Sequence, residues 1–381
     1  MDNLLKEYIS GQHEQQYQYK SFTPNPINEE WTFYEPEIIT LMEGANQKLG
    51  ELNAYSQLIS DVDFFIRMHI VKEATTSSRI EGTQTNMEEA LIDEKDINPE
   101  SRDDWLEVQN YIEAIKFSIE KLNTLPLSNR ILKETHNVLM KGARGKHKQP
   151  GIIRTSQNWI GVSLKNATFI PPHHDRLPDL MTDFEKYIHN DEIHVPHLIK
   201  IAILHYQFET IHPFLDGNGR LGRLFIVLYL VNFNLLAKPA LYLSDFFERN
   251  KAEYYNRLMA VRTNNDMVGW LRFFLYGLRE SAENSIHVFK QIMALKEEIE
   301  RKKLPTLNTR KQDNAQNLIM HLYKAPVVSI KNIRNVLNVQ TNTASSLVKD
   351  FTQLGILKEL TGRKRNRLFI FEEYFQIFVN K

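Results

Sequence analysis

The 381-residue chain contains no cysteine, which excludes disulfides, thiolate metal sites and a cysteine nucleophile. This absence fits a reducing compartment, and the first residues lack the basic-then-apolar order of a secretion signal. We therefore expect a cytoplasmic protein. Long apolar runs are missing too, because the longest, residues 224–231, is well short of the ~20 residues of a membrane helix. We predict a buried helix there and no membrane partner.

Net charge is absent as well, since 47 Lys and Arg balance 47 Asp and Glu. The two parts of the chain nevertheless differ in net charge. Residues 301–381 hold 15 basic and 5 acidic side chains, a net charge of +10, so residues 1–300 carry −10. The apolar and charged fractions are those of a globular protein, and the length predicts two or three domains. We place a boundary at the basic, proline-containing link 301–306.

The spacing of apolar residues predicts a mainly α protein. Three- and four-residue steps, typical of helices, recur in 36–70, 104–122, 128–141, 195–211, 221–236 and 267–296. Residues 157–172 differ, because two short runs rich in aromatic and β-branched side chains flank a polar turn. That pattern predicts a β-hairpin within a helical body.

Beyond the link, the pattern predicts a winged helix. Helices are expected at 314–323, 330–337 and 341–354, and strands at 356–360 and 367–371 around a basic turn. In a DNA-binding interpretation, the contacts would come from Thr341, Asn342, Thr343, Lys349, Arg363, Lys364, Arg365 and Arg367. In the alternative interpretation, residues 305–381 dock on the acidic remainder of the chain or on another protein.

The densest chemical signal is the segment 212–223, HPFLDGNGRLGR. Gly217 and Gly219 lie in a loop that opens a helix, where successive backbone N–H groups can form an anion nest. The positive end of the helix dipole adds to that attraction. Arg220 and Arg223, three residues apart on one face, can each fork onto phosphate oxygens. The segment therefore predicts a polyphosphate site.

Two further residues of the segment suit other tasks. Asp216 offers a carboxylate beside the phosphate site, where it can hold Mg²⁺. His212 lies just outside it, and an imidazole with its ordinary pKa of ~6.5 can take a proton from a hydroxyl nucleophile. A base, a metal ligand and an anion site thus fall within twelve residues.

This segment resembles the Fic family motif HxFxxGNGRxxR at every fixed position. The resemblance covers roughly residues 70–270 and implies a Fic-type helical bundle with a β-hairpin flap, followed here by the winged-helix domain. The expected division is an N-terminal helical region in 1–100 that carries an inhibitory helix, a catalytic core in 101–300, and the winged helix in 305–381.

The resemblance implies transfer of AMP from ATP, with Mg²⁺, to a Ser, Thr or Tyr hydroxyl of a target protein or of the chain itself. His212 would be the base, Asp216 the Mg²⁺ ligand, and Phe214 would pack beneath the loop. The implied ATP contacts are Gly217, Asn218, Gly219, Arg220, Leu221, Gly222, Arg223 and Tyr255. The implied target-docking flap is Asn158, Trp159, Ile160 and Gly161. A homodimer is a further implication.

A second resemblance lies upstream, where residues 77–82, SSRIEG, fit the inhibitory pattern S/T-x-x-x-E-G/N of the same family. Ser77 and Glu81 are one helical turn apart, so both can point from one face before Gly82 ends the helix. A Glu81 carboxylate paired with Arg223 would occupy the fork that the γ-phosphate needs. The pattern predicts an autoinhibited enzyme.

Two other functions remain open at this point. One is an ATP-sensing regulator that binds DNA through residues 305–381, and the other is removal of AMP from a modified target, with Glu81 positioning water. For His205 we prefer a buried, hydrogen-bonded side chain over metal ligation, since no third ligand lies at a useful spacing. For the pair His173 and His174 we prefer surface loop side chains over a metal site.

Overall fold

The structure is a computed structural model that describes residues 3–58, 62–142, 146–363 and 365–379. Its helices are α1 Pro36–Leu58, α2 Val62–Ile80, α3 Arg102–Leu122, α4 Asn129–Leu139, α5 Leu177–His189, α6 His197–Ile211, α7 Asn218–Asn232, α8 Ser244–Arg249, α9 Lys251–Asn264, α10 Met267–Glu298, α11 Thr309–Lys324, α12 Ile330–Leu337, α13 Thr341–Gln353 and α14 Glu372–Val379. Its strands are β1 Asn3–Leu4, β2 Gly11–Gln15, β3 Lys20–Pro24, β4 Trp31–Thr32, β5 Ile160–Gly161, β6 Ala167–Phe169, β7 Val327–Ser329, β8 Leu357–Glu359 and β9 Leu368–Phe371. The prediction of a mainly α protein is confirmed.

Helices α6 and α7 form the centre of the molecule. In α6 every residue from Leu198 onward is buried, and α7 is buried through Leu230. A helix that is apolar on all sides has to be surrounded by other elements. The long α10 supplies part of that surround, and the indole Nε1 of Trp270 donates to the Ala202 carbonyl of α6 at 2.9 Å. The predicted buried helix at residues 224–231 is therefore present, with Val231 partly buried.

The described residues also contain several short strands. β5 and β6 form the predicted antiparallel hairpin, in which Ile160 lies opposite Phe169. The first 35 residues differ from the expected helical region, because β2 and β3 form a second hairpin and β1 pairs with β4 in parallel. The Phe22 N–H donates to the Ile170 carbonyl at 2.9 Å. This N-terminal hairpin therefore lies against the base of the predicted flap, and its short polar strands carry too little apolar alternation to stand out in the sequence.

Beyond α10, three helices pack with a three-stranded antiparallel sheet of order β7-β9-β8. The predicted helices and strands are all present, and α14 follows as an element that the sequence pattern did not indicate. Ser329 opens α12 with a capping box to Asn332. The interpretation of this unit as a winged helix stays a prediction, and Lys364 of its basic turn lies outside the described residues.

The link 301–306 is ordered. α10 continues into a π turn, Ile299–Lys303, and a 3₁₀ turn, Leu304–Thr306, with Ile299 and Leu304 buried. The C-terminal unit also contacts the N-terminal half, since the ring of Phe378 lies 5.2 Å from that of His69 in an edge-to-face contact. These contacts join the two oppositely charged parts of the chain.

Within the described residues, each helix is too short or too polar to cross a membrane.

Two helical glycines give a matched test of the packing. A Cβ at Gly277 of α10 would overlap the buried ring of Phe246, whereas one at Gly50 of α1 would meet nothing within 4 Å. We expect Gly277→Ala to lower the free energy of unfolding by about 1–3 kcal/mol through overpacking. Gly50→Ala should raise it by about 0.5–1 kcal/mol, because alanine favours the helix. Urea denaturation of both variants measures the difference, and equal effects would contradict this packing.

Candidate active site

The segment 212–217 is a loop between the two central helices. His212 ends α6 in a left-handed conformation with φ 50° and ψ 60°, and Gly217 precedes α7 with φ 76°. A Cβ at Gly217 would lie 2.7 Å from the Met140 sulfur. The backbone angle therefore favours glycine here, and a Cβ would also force the Met140 side chain to shift.

Two asparagines tie the loop down. The Asn218 side chain accepts from the Phe214 N–H at 2.9 Å and donates to the Phe214 carbonyl at 2.8 Å. The Asn158 amide donates to the same carbonyl at 2.8 Å and to that of His212 at 3.2 Å. Arg154, which the sequence analysis missed, donates from Nε to the His212 carbonyl at 3.0 Å. The loop carbonyls are thereby bound to the protein.

His136 of α4 supports the loop from beneath and was also missed. Its ring stacks on Phe214 at a centroid distance of 3.9 Å. Nδ1 accepts from the Gly151 N–H at 2.8 Å, so Nε2 is the donor to the Asp216 carbonyl at 2.9 Å. Burial lowers the pKa of His136 to about 4, which keeps the ring neutral. The sequence places His136 only on the apolar face of a helix.

His212 has the properties of a neutral base. Burial and the charges of Arg154 and Arg262 lower the pKa of His212 to about 4. A backbone hydrogen bond with Glu209 opposes this fall in pKa without reversing it. At neutral pH the imidazole is therefore unprotonated and able to accept a proton.

The two arginines of the segment lie side by side with acidic partners. Arg220 is 5% exposed, and its Nη1 lies 3.2 Å from Glu107 Oε2. Arg223 is 3% exposed. Its Nε donates to the Ser77 hydroxyl at 2.9 Å, and its Nη2 donates to the Ser77 carbonyl at 2.9 Å and to Glu81 Oε1 at 2.7 Å. The contact predicted between Glu81 and Arg223 is thus present in the geometry.

The Glu81 carboxylate lies at the start of α7. A Cβ at Gly219 would overlap Glu81 Oε1, so the carboxylate rests against the backbone of that glycine. Although burial alone would raise the pKa of Glu81, the charge and the hydrogen bond of Arg223 hold that pKa below its ordinary value. An ionised carboxylate therefore lies where the unpaired N–H groups of the helix begin. Gly82 follows with φ 107°.

The remaining predicted residues divide between the surface and the interior. The Asp216 side chain is 47% exposed, and its Oδ1 accepts from the Gly217 N–H at 2.6 Å. Tyr255 is 40% exposed, and burial of its hydroxyl together with the charge of Glu81 raises its pKa to about 12.

Leu221 is fully buried. The Gly222 carbonyl accepts from Nδ1 of the buried His205 at 3.0 Å, so this histidine has the structural hydrogen bond expected of it.

The predicted flap has both exposed and buried side chains. Trp159 is 42% exposed and the neighbouring Val162 92% exposed. Gly161 has φ 126°, and the register shifts between Ile160 and Gly161. The Asn158 side chain is buried and donates hydrogen bonds to the loop carbonyls. It therefore supports the loop and does not form part of an outer docking surface.

Two parts of the chain match models of one protein family. Residues 126–230 match the Fic/DOC family, and residues 39–120 match the Fic/DOC family N-terminal region. These matches include the segment 212–223 and the residues of α2. They support the predicted family resemblance for this part of the chain.

Individual relatives share the matched region at modest identity. The "Protein adenylyltransferase Fic" of Drosophila erecta is 30% identical over 124 residues, which cover 32% of this chain and 22% of that protein. The protein of the same name from Culex quinquefasciatus is 24% identical over 292 residues, which cover 72% and 54%. The chain thus spans at most about half the length of these curated relatives.

Solved structures share the fold. A Fic family protein from Desulfovibrio desulfuricans G20 superposes with a TM-score of 0.55 at 21% identity, over 89% of this chain and 96% of that one. Residues 134–508 of Fic-1 from C. elegans superpose with a TM-score of 0.51 at 20% identity, over 68% and 75%. The predicted Fic-type mainly α fold is confirmed.

Gly217 allows a test of the loop geometry with a matched control. Gly355 has a similar φ of 72°, but a Cβ there would meet nothing within 4 Å. We expect Gly355→Ala to cost only the left-handed backbone strain, about 1–2 kcal/mol. Gly217→Ala should cost more and should weaken ATP binding at least about tenfold, a change of about 1.4 kcal/mol. Unfolding free energies and ATP titrations measure both, and unchanged ATP binding in Gly217→Ala would contradict the arrangement.

Proposed function

We propose that the chain is a protein adenylyltransferase that moves AMP from ATP to a Ser, Thr or Tyr hydroxyl of a target protein, or of itself. One observation carries the proposal. A neutral His212 stands at one end of a tied loop, and at the other end α7 begins with two buried arginines beside its unpaired N–H groups. A base and an anion site are thereby placed side by side.

ATP would lie with its phosphates at the start of α7. The N–H groups of Asn218 and Gly219 would face them as anion donors, and Arg220 and Arg223 would pair with the phosphate oxygens. The Asn218 side chain, already bonded to Phe214, would position the loop, leaving its backbone N–H for the nucleotide. Tyr255 would lie at the edge of the nucleotide site.

The exposed Asp216 carboxylate fits a Mg²⁺ ligand, since it is a hard oxygen donor next to the proposed phosphates. Bound there, the ion would offset phosphate charge.

In the transfer step, His212 would take the proton of the target hydroxyl as that oxygen attacks the α-phosphorus. A bond forms between the oxygen and the phosphorus, the bond to the bridging oxygen breaks, and pyrophosphate leaves. The exposed edge of the flap around Trp159, Ile160 and Gly161 would hold the target segment by strand addition. Such backbone pairing fixes the position of the hydroxyl without requiring a particular target sequence.

Glu81 would act as the inhibitor of this step. It uses the Arg223 Nη2 that the γ-phosphate would need and adds a negative charge beside Gly219. ATP would then bind with its α-phosphate out of line for attack. Self-modification, the reverse reaction and a homodimer remain compatible with this arrangement.

The C-terminal unit offers two partners. The first turn of α13, Thr341 to Thr343, is exposed and suits a DNA groove. In the basic turn, however, Arg363 lies 3.2 Å from Asp96 of the acidic part of the chain. This ion pair favours the interpretation in which the turn docks on that part.

Removal of the Glu81 carboxylate should release the enzyme. We expect Glu81→Gly to raise incorporation of ³²P-AMP from α-³²P-ATP about tenfold or more, because each factor of ten requires only about 1.4 kcal/mol. His212→Ala should abolish incorporation. The double variant Glu81→Gly/His212→Ala is the matched control, since it keeps the freed arginine and lacks the base. Equal labelling of wild type and Glu81→Gly would refute the inhibitory role, and labelling of the double variant would refute the role of His212.

The pH profile tests the state of the base. Because the pKa of His212 is lowered to about 4, its neutral form persists far below the ordinary value. Loss of Glu81, whose charge raises that pKa, would lower it further. We expect the transfer rate of Glu81→Gly at saturating ATP to stay level from about pH 7.5 down to about pH 5.5. A decline with its midpoint near 6.5 would show instead that His212 titrates as a solvated imidazole.

A further inference from the structure

A cavity of about 500 Å³ lies between α2, α8, α10 and α14. Its volume is that of small-molecule sites in proteins. The helix α2 contributes His69, Lys72, Glu73 and Thr76 to its wall, and Ser77 follows directly. The cavity therefore adjoins the same helix that presents Ser77 and Glu81 to Arg223.

Buried polar atoms line this cavity without partners. Glu73 is 2% exposed, and its Oε1 accepts from the hydroxyls of Tyr111 at 3.0 Å and Ser244 at 2.5 Å. Its Oε2 has no partner among the described residues, and the same holds for His69 Nε2 and the Tyr242 hydroxyl. Each unsatisfied buried group costs about 1–3 kcal/mol. A ligand that pairs with them would offset this cost.

The charges around the cavity favour a cation. Lys72 Nζ lies 3.7 Å from Asp245 Oδ1, so these two charges offset each other. Burial, with the charge of Lys72, lowers the pKa of His69 to about 3, so this ring is neutral. His287 lies at the exposed rim. Glu73 is the acid of the interior. Burial raises its pKa, and the hydrogen bonds from Ser244 and Tyr111 and the charge of Arg223 offset that rise only in part. A bound cation would relieve the remaining penalty.

The rest of the wall has an apolar part and a polar part. Val288, Ile377 and Phe378 form the apolar part, and the His69 ring lies 5.2 Å from Phe378. The polar part is formed by Thr76, Ser281, Asn284, Ser285 and Gln291. The apolar part suits the apolar body of a ligand, and aromatic faces attract cations.

We propose that this cavity binds a small organic cation, with its ammonium group at Glu73 and its apolar body against Phe378. A ligand there would bridge α2 to α10 and α14 and hold α2 in place. It would thereby strengthen the contact of Ser77 and Glu81 with Arg223 and weaken ATP binding. This second consequence, unlike the binding itself, rests on the proposed function.

The binding test uses two probes of equal size on the full chain. Tyramine carries an ammonium group, and tyrosol has a hydroxyl at the same position. Calorimetry should give tyramine an affinity at least about tenfold higher than that of tyrosol, equivalent to about 1.4 kcal/mol. Equal affinities, or no tyramine binding up to about 10 mM, would overturn the proposal. Neither result depends on AMP transfer, so failure here is distinct from failure of the proposed function.

Two variants locate the site. Glu73→Gln keeps the acceptor oxygen and removes the charge, so the preference for tyramine should fall to less than about twofold. Ser285→Phe places a ring in the cavity from α10 and should abolish binding of both probes, while thermal unfolding confirms that the variant folds. Tyramine binding that survives both substitutions would place the site elsewhere and refute the proposal.

The coupling test compares ATP affinity with and without saturating tyramine. We expect tyramine to weaken ATP binding at least about threefold in wild type and to leave it unchanged in Glu81→Gly, where the contact is missing. ATP affinity in the wild type that does not respond to tyramine would refute the coupling.

Discussion

The buried guanidinium of Arg223 sets the main constraint on this molecule. A cation that is 3% exposed is costly to bury unless an anion and hydrogen-bond acceptors surround it. Ser77 and Glu81 provide them from α2. A nucleotide phosphate would meet the same requirement, so protein carboxylate and phosphate compete for one partner. Inhibition in the proposed enzyme would therefore follow from charge balance, because the upstream segment supplies the anion that the phosphate would otherwise provide.

The second constraint is the shape of the loop before α7. Asn158, Asn218, Arg154 and His136 bind its carbonyls at His212, Phe214 and Asp216. Carbonyl dipoles held toward the protein do not oppose an anion at the helix start. Because the loop is already ordered in the folded protein, no further free energy is needed to order it when a ligand binds. His212, the first residue of the same loop, is held by hydrogen bonds to its own carbonyl.

Much of this could be predicted from the sequence, because helix periodicity and the segment 212–223 are local patterns. The predicted helix 330–337 coincides with α12, and the hairpin 157–172 contains β5 and β6. Residues such as His136 and Arg154 could not be found this way, since only the tertiary fold brings them to the loop. The inward role of the Asn158 side chain and the strands before residue 35 likewise depend on long-range contacts. Local motifs thus indicate the chemistry, whereas the supporting residues emerge only in three dimensions.

A further buried acid, Glu209, belongs to the group of charges around Arg223. Glu209 of α6 is buried, and its Oε1 has no hydrogen-bond partner among the described residues. Burial raises the pKa of Glu209 to about 7, the charges of Arg223 and Arg262 oppose that rise, and the charge of Glu81 adds to it. If Glu81 moves away from Arg223, its repulsion of Glu209 disappears and the pKa of Glu209 falls. A lower pKa favours the ionised form of Glu209, whose negative charge would partly compensate Arg223 when the Glu81 carboxylate is absent.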